Sequence, residues 1–149
     1  MDTNEKNIIN LLVWQELLLA NLYRLFAKQF PQYCQFFEDL SGDEQKHASW
    51  LKQLADSGER GFIVFTEGKV KTQDIDAYNN YLEKVILKTE NGELTLAEAV
   101  RYAGEMERSL IERDVFSHFD STSTKAKEIL EKLVLETRRH INKIESIQM

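Results

Sequence analysis

The chain has 149 residues, 42 % hydrophobic and 30 % charged, which is one domain's worth of core in an ordinary soluble balance. Its 6 Gly and 1 Pro are too few turn-formers for an all-β sandwich, so long helices are the economical reading. With 19 Lys+Arg against 25 Asp+Glu the net charge is −6, and no basic surplus exists to hold a nucleic-acid backbone.

The N-terminal Met1-Asp2-Thr3-Asn4-Glu5-Lys6 lacks a basic leader, and no apolar run approaches the ~18 residues of a membrane span. A cytoplasmic protein without a membrane partner is expected. The first helical stripe then runs Ile9, Leu12, Val13, Glu16, Leu19, Ala20, Tyr23, Phe26, Ala27 and Phe30, at three- and four-residue steps. Pro31 suits the first turn of a new helix. Cys34, the single cysteine, reads as a small buried residue and excludes an internal disulfide, a zinc ribbon and an iron–thiolate cluster. The second stripe carries Phe36, Phe37, Leu40, Glu44, His47, Leu51 and Leu54 and stops at Ser57-Gly58, with a kink or fresh N-cap expected at Ser41-Gly42-Asp43.

From Gly58 to Gly68 the pattern changes, and Phe62-Ile63-Val64-Phe65 reads as extended chain. Asp74 to Lys88 forms a shorter helix with Ile75, Tyr78, Leu82, Val85 and Ile86 on its apolar side, and Asn91-Gly92 is a turn. The third long helix starts at Thr95, with Glu98 completing a capping box, and carries Leu96, Val100, Ala103, Glu107, Leu110, Ile111 and Asp114. After Ser121-Thr122-Ser123-Thr124 the fourth carries Ala126, Ile129, Leu130, Leu133, Thr137, His140, Ile141, Ile144 and Ile147. Some 60 residues separate His47 from Glu107, far more than an antiparallel loop needs. An all-α domain over residues 1–149 is therefore expected: four long helices with a long crossover between the second and third.

Each stripe has an ionisable residue in an inward position. A buried carboxylate costs several kcal/mol unless paired or metal-bound. The inward residues are Glu16, then Glu44-x-x-His47, then Glu107, then Glu136 with His140. Glu16 and His47 are 31 residues apart, Glu107 and His140 33, so the halves read as two copies of one hairpin. Four carboxylates and two imidazoles suit two divalent ions, the imidazoles favouring iron, manganese or zinc over calcium or magnesium. Any one of these residues alone reads more simply as a solvated or helix-end group; the order and spacing carry the metal reading. Glu105 and Glu112 group with Glu98, Arg101 and Arg108 on the solvated face of the third helix. His118 reads as a helix-end charge, and Tyr23 as core packing with a hydrogen bond to a ligand as the alternative.

Glu16-x6-Tyr23-x2-Phe26-Ala27, Phe30-Pro31, Leu40-x3-Glu44-x2-His47-Ala48, Glu107-x3-Ile111 and Leu133-x2-Glu136-Thr137-x2-His140 together resemble a rubrerythrin-like member of the ferritin-like superfamily. The resemblance spans nearly the whole chain except the Gly58–Asn91 crossover. It implies a ferritin-like four-helix bundle and a dinuclear iron centre, manganese or zinc being the alternatives. It also implies oxidoreductase chemistry on peroxide or O2, and it is compatible with a homodimer. Glu16 and Glu107 match the family's single-helix glutamates, and Glu44 with His47 its first Glu-x-x-His. The fourth helix departs from the pattern, because Thr137 stands where the second motif has Glu. Glu136 shares the face of His140 and is the carboxylate this helix has to offer. With one cysteine, no rubredoxin-like domain is present, so electrons would come from a separate donor protein. The competing readings are a non-catalytic metal-binding module and a structural or interaction bundle whose site has decayed.

Overall fold

A computed structural model of the chain describes residues 3–59, 63–65, 72–112, 119–121 and 124–147. It is helical in class. In chain order it contains α1 (Thr3–Gln29), a 3-10 turn (Pro31–Tyr33), α2 (Cys34–Glu59), strand β1 (Ile63–Phe65), α3 (Thr72–Glu90), α4 (Leu96–Glu112), strand β2 (Phe119–Ser121) and α5 (Thr124–Glu145). Among the described residues no helix is long and apolar enough to cross a membrane.

The helix boundaries follow from local chemistry. Pro31 opens the 3-10 turn, where its missing N–H removes no hydrogen bond, and α2 follows directly. At the start of α4 the expected capping box is complete. Thr95 Oγ1 accepts from the Glu98 N–H at 3.2 Å, and the Thr95 N–H donates to Glu98 Oε1 at 3.1 Å. The Thr95 N–H and the Thr95 hydroxyl, which also donates to Glu98 Oε1 at 3.1 Å, hold the Glu98 carboxyl below the usual carboxylate range. At the end of α3, Gly92 takes φ 71°, its N–H reaches the Thr89 carbonyl at 3.0 Å and the Glu93 N–H reaches the Lys88 carbonyl at 3.0 Å. That is a Schellman ending, for which a left-handed glycine is the cheapest residue.

One expectation is corrected. Ser41-Gly42-Asp43 does not recap the second helix, because α2 runs unbroken through it. The buried Ser41 hydroxyl donates instead to the Ala20 carbonyl of α1 at 2.8 Å, tying the two helices together. The crossover helix α3, with 19 residues, is shorter than α1, α2 and α5, as expected. Residues 63–65 are extended as expected, pairing antiparallel with β2 in the register Ile63 to Ser121.

The ribbon ties the chain leaving α2 to the connection between α4 and α5, so α2 and α4 end on the same side. The chain must therefore travel back before α4 begins, and α3 spans about 28 Å at 1.5 Å per residue. It does so along α1. The Asn79 amide donates to the Leu11 carbonyl at 3.1 Å, and the Gln29 amide donates to the Thr89 carbonyl further on, so α1 and α3 run parallel.

The core is divided in two. One apolar cluster gathers Ile8, Ile9, Leu12, Leu51, Leu54, Ile75, Ile129 and Leu133; the other gathers Leu19, Tyr23, Phe26, Phe37, Leu40, Leu82, Met106 and Ile144. Burying each such side chain is worth about 1.5–3 kcal/mol, so both clusters help to hold the helices together. Between them lies a layer of buried polar side chains from all five helices: Gln15, Glu16, Glu44, His47, Asn79, Glu107, Thr137 and His140.

Candidate metal centre

The polar layer is built from helical spacing. Glu16 sits on α1 between Leu12 and Leu19, and Glu107 on α4 one turn beyond Ala103, positions otherwise filled by core residues. Glu44 and His47 lie three residues apart on α2, as do Thr137 and His140 on α5, so each pair shares one face. Glu16, Glu44, His47, Glu107 and His140 are each at most 2 % exposed. Their carboxylate and imidazole atoms form two compact groups, Glu16 with Glu44 and His47, and Glu107 with Glu44 and His140. Within each group the potential ligand atoms lie within 4.8 Å of one another.

Glu44 belongs to both. Its Oε2 lies 3.1 Å from His47 Nδ1, and its Oε1 lies 3.1 Å from His140 Nδ1. Glu16 Oε2 is 3.7 Å from the same His47 nitrogen, and Glu107 Oε1 is 3.3 Å from His140 Nδ1. The two imidazole rings lie against each other with centroids 5.3 Å apart and planes 23° apart. Both histidines thus turn Nδ1 toward the inner carboxylates.

The outward nitrogens are also engaged. His140 Nε2 meets Asp43 Oδ2 at 3.0 Å, and His47 Nε2 meets Glu136 Oε1 at 3.2 Å. Each bond crosses between α2 and α5. Glu136 therefore reaches the site at its outer edge, with its side chain 21 % exposed, and it also forms a possible ligand group with His47 and His140. Thr137 is buried one turn before His140, its hydroxyl bonded back to the Leu133 carbonyl at 2.7 Å, as its short side chain predicts. Tyr23 does more than pack: its hydroxyl donates to Glu107 Oε1 at 2.8 Å. Trp50 stacks on His47 with centroids 5.4 Å apart.

The electrostatics follow from burial and from these contacts. Burial alone would lower the histidine pKa values, but hydrogen bonds and charges outweigh it. Glu16 and Glu44 push His47 up to about 12, and Glu107 and Glu44 push His140 up to about 11. Burial, with the charges of Glu107 and Glu16 nearby, holds the Glu44 carboxyl well above its usual range. Burial opposes ionisation of Glu107 too, yet hydrogen bonds from His140, Glu44 and Tyr23 bring it below the usual range. Tyr23 is raised by burial and by the charges of Glu107 and Glu44, so it stays a neutral donor.

The donor set fits a pair of divalent cations on a further count. Glu16 Oε2 and Glu107 Oε2 are buried without a hydrogen-bond partner among the described residues, whereas Glu44 Oε1 has the His140 Nδ1 contact at 3.1 Å. An orphaned buried carboxylate oxygen is costly, and a coordinated cation is one way to satisfy it. Five of the six residues singled out from the sequence lie in this layer, and Glu136 stands at its outer edge. Glu105, read as solvated, is exposed and faces Arg101. The side chains of Glu112 and Asp114, and all of His118, lie outside the described residues. Sequence reasoning missed Asp43, although it precedes Glu44 as Glu136 precedes Thr137, and it missed the buried amides Gln15 and Asn79. Comparison of the chain with family models, curated proteins and solved structures returned no match.

Proposed function

We propose that this chain binds two transition-metal ions, iron foremost and manganese or zinc as alternatives, within a ferritin-like bundle of α1, α2, α4 and α5. The observation that carries the reading is Glu44, one buried carboxylate shared by two ligand groups that each add a glutamate and a histidine Nδ1. Glu16 and His47 would hold one ion, Glu107 and His140 the other, with Glu44 between them. Asp43 and Glu136 orient the imidazoles through Nε2, and Tyr23 fixes the Glu107 carboxylate. When bound, a ferrous pair supplies two electrons together to peroxide or O2, which makes the protein an oxidoreductase drawing on an external electron-donor protein.

A second reading is favoured by Thr137. A dinuclear site with one shared carboxylate instead of two holds its ions less tightly, which suits a non-catalytic metal-binding module, or a bundle whose site has decayed. Anaerobic titration with ferrous iron followed by peroxide separates these. Two equivalents bound and oxidised support the oxidoreductase, stable binding without oxidation supports the module, and failure to bind supports the decayed bundle.

A further inference from the structure

We infer that the cleft between α2 and α5 is a port that admits a small inorganic oxyanion to the carboxylate–imidazole layer; its destination rests on the metal-centre reading above. The cleft has a volume of about 190 Å³ and is lined by Asp43, Lys46, Glu136, Arg139, His140 and Lys143. Every lining residue is charged or an imidazole. That volume equals about six waters at ~30 Å³ each, enough for an oxyanion of a few heavy atoms and too little for a large organic substrate.

Helical spacing brings the lining residues together. Asp43 and Lys46 are one turn apart on α2, and Glu136, Arg139, His140 and Lys143 fall on one face of α5. His140 is 2 % exposed and is the cleft's link to the interior, since its Nδ1 meets Glu44 and Glu107 while its Nε2 meets Asp43.

The charge balance selects the ligand. Three cations, Lys46, Arg139 and Lys143, face two carboxylates, Asp43 and Glu136, and Lys46 lies 3.9 Å from Asp43. Arg139 and Lys143 form no ion pair among the described residues, so the positive charge left uncompensated lies at the mouth. On a chain of net charge −6 this local excess attracts anions and opposes the approach of free divalent cations. Arginine also offers paired donors that match an oxyanion's geometry.

The test is a two-dimensional NMR titration of the metal-free chain with sodium phosphate, at ionic strength held constant with sodium chloride. Saturable shifts at Lys46, Arg139, His140 and Lys143 are expected, with binding weakened at least tenfold in the Arg139→Gln/Lys143→Gln double variant. Arg24→Gln, a change on α1 that does not line this cleft, leaves binding unchanged. Shifts that are linear and equal in phosphate and chloride, or a double variant that binds phosphate as the natural chain does, would overturn the port. Since no metal is added, failure of phosphate binding removes the port alone, and failure of the separate iron titration removes the metal reading alone.

Discussion

Asp43 and Glu136 hold equivalent places on two different helices: each lies four residues before a buried histidine of its own helix and binds the outward Nε2 of the other's. The bonds are 3.0 Å to His140 and 3.2 Å to His47. An imidazole held this way has its ring plane fixed and its Nδ1 directed at the inner carboxylates. The reciprocal pairing also joins α2 to α5 across the centre of the protein.

Removing either carboxylate should therefore loosen one imidazole without removing a ligand of its own group. Asp43→Asn and Glu136→Gln are each expected to weaken metal binding by about 10–100-fold, the range for outer partners of ligating histidines. Competition against a chromophoric chelator reads the effect. Glu105→Gln, on the exposed face of α4, serves as the control and should bind metal unchanged.

The metal-free protein should lose stability as pH rises. His47 and His140 have folded pKa values of about 12 and 11, above the ordinary 6.5, so the folded state holds protons that the unfolded state releases. Their stabilisation is full below pH 6.5 and is lost progressively as pH climbs toward 11–12. The slope is on the order of 1 kcal/mol per pH unit for each imidazole while only the folded form is protonated. Urea unfolding at pH 6.5 and pH 9 measures it. Metal and proton compete for the same nitrogens, so metal binding should release protons and tighten over the same interval.

Much of this was legible in the sequence because helix geometry converts spacing into position. Glu16, Glu44, His47 and Glu107 interrupt apolar stripes, so any fold that buries those stripes buries them as well. The cap at Thr95 and the turn at Asn91-Gly92 depend on a few neighbouring residues, and both formed as expected. Asp43 was not legible in the same way. Beside Ser41 and Gly42 it looks like a cap, and only the closeness of α2 and α5 shows that its partner lies 97 residues away. Gln15 and Asn79 were hidden because their burial depends on α3 packing along α1, a long-range event that no local pattern announces.

Thr137→Glu tests whether the centre lacks only its second shared carboxylate. Against Thr137, whose hydroxyl is satisfied by the Leu133 carbonyl, the variant adds one more buried acid beside Glu44 and Glu107. The metal-free variant should be less stable by several kcal/mol, while affinity for the second ion should rise. Unfolding with and without added ferrous or zinc ion reads both effects. A variant that is destabilised and gains no affinity would show that position 137 does not face the ions.

Stability of the frame should be separable from the site. Thr95→Ala removes the α4 cap and is expected to cost about 1 kcal/mol, with metal stoichiometry unchanged. Denaturant unfolding and metal analysis on the same sample check the two halves of that statement.

The central claim is that one buried carboxylate, Glu44, serves two ions, and metal stoichiometry tests it most directly. The natural chain, purified without chelator or reconstituted with ferrous iron, should hold two ions per chain by elemental analysis. Glu16→Gln should weaken chiefly one of them, whereas Glu44→Gln should weaken both, with helical content by circular dichroism preserved in each. Less than about half an equivalent of any transition metal in the natural chain, not recovered on reconstitution, would contradict the account, as would a Glu44→Gln variant that keeps both ions.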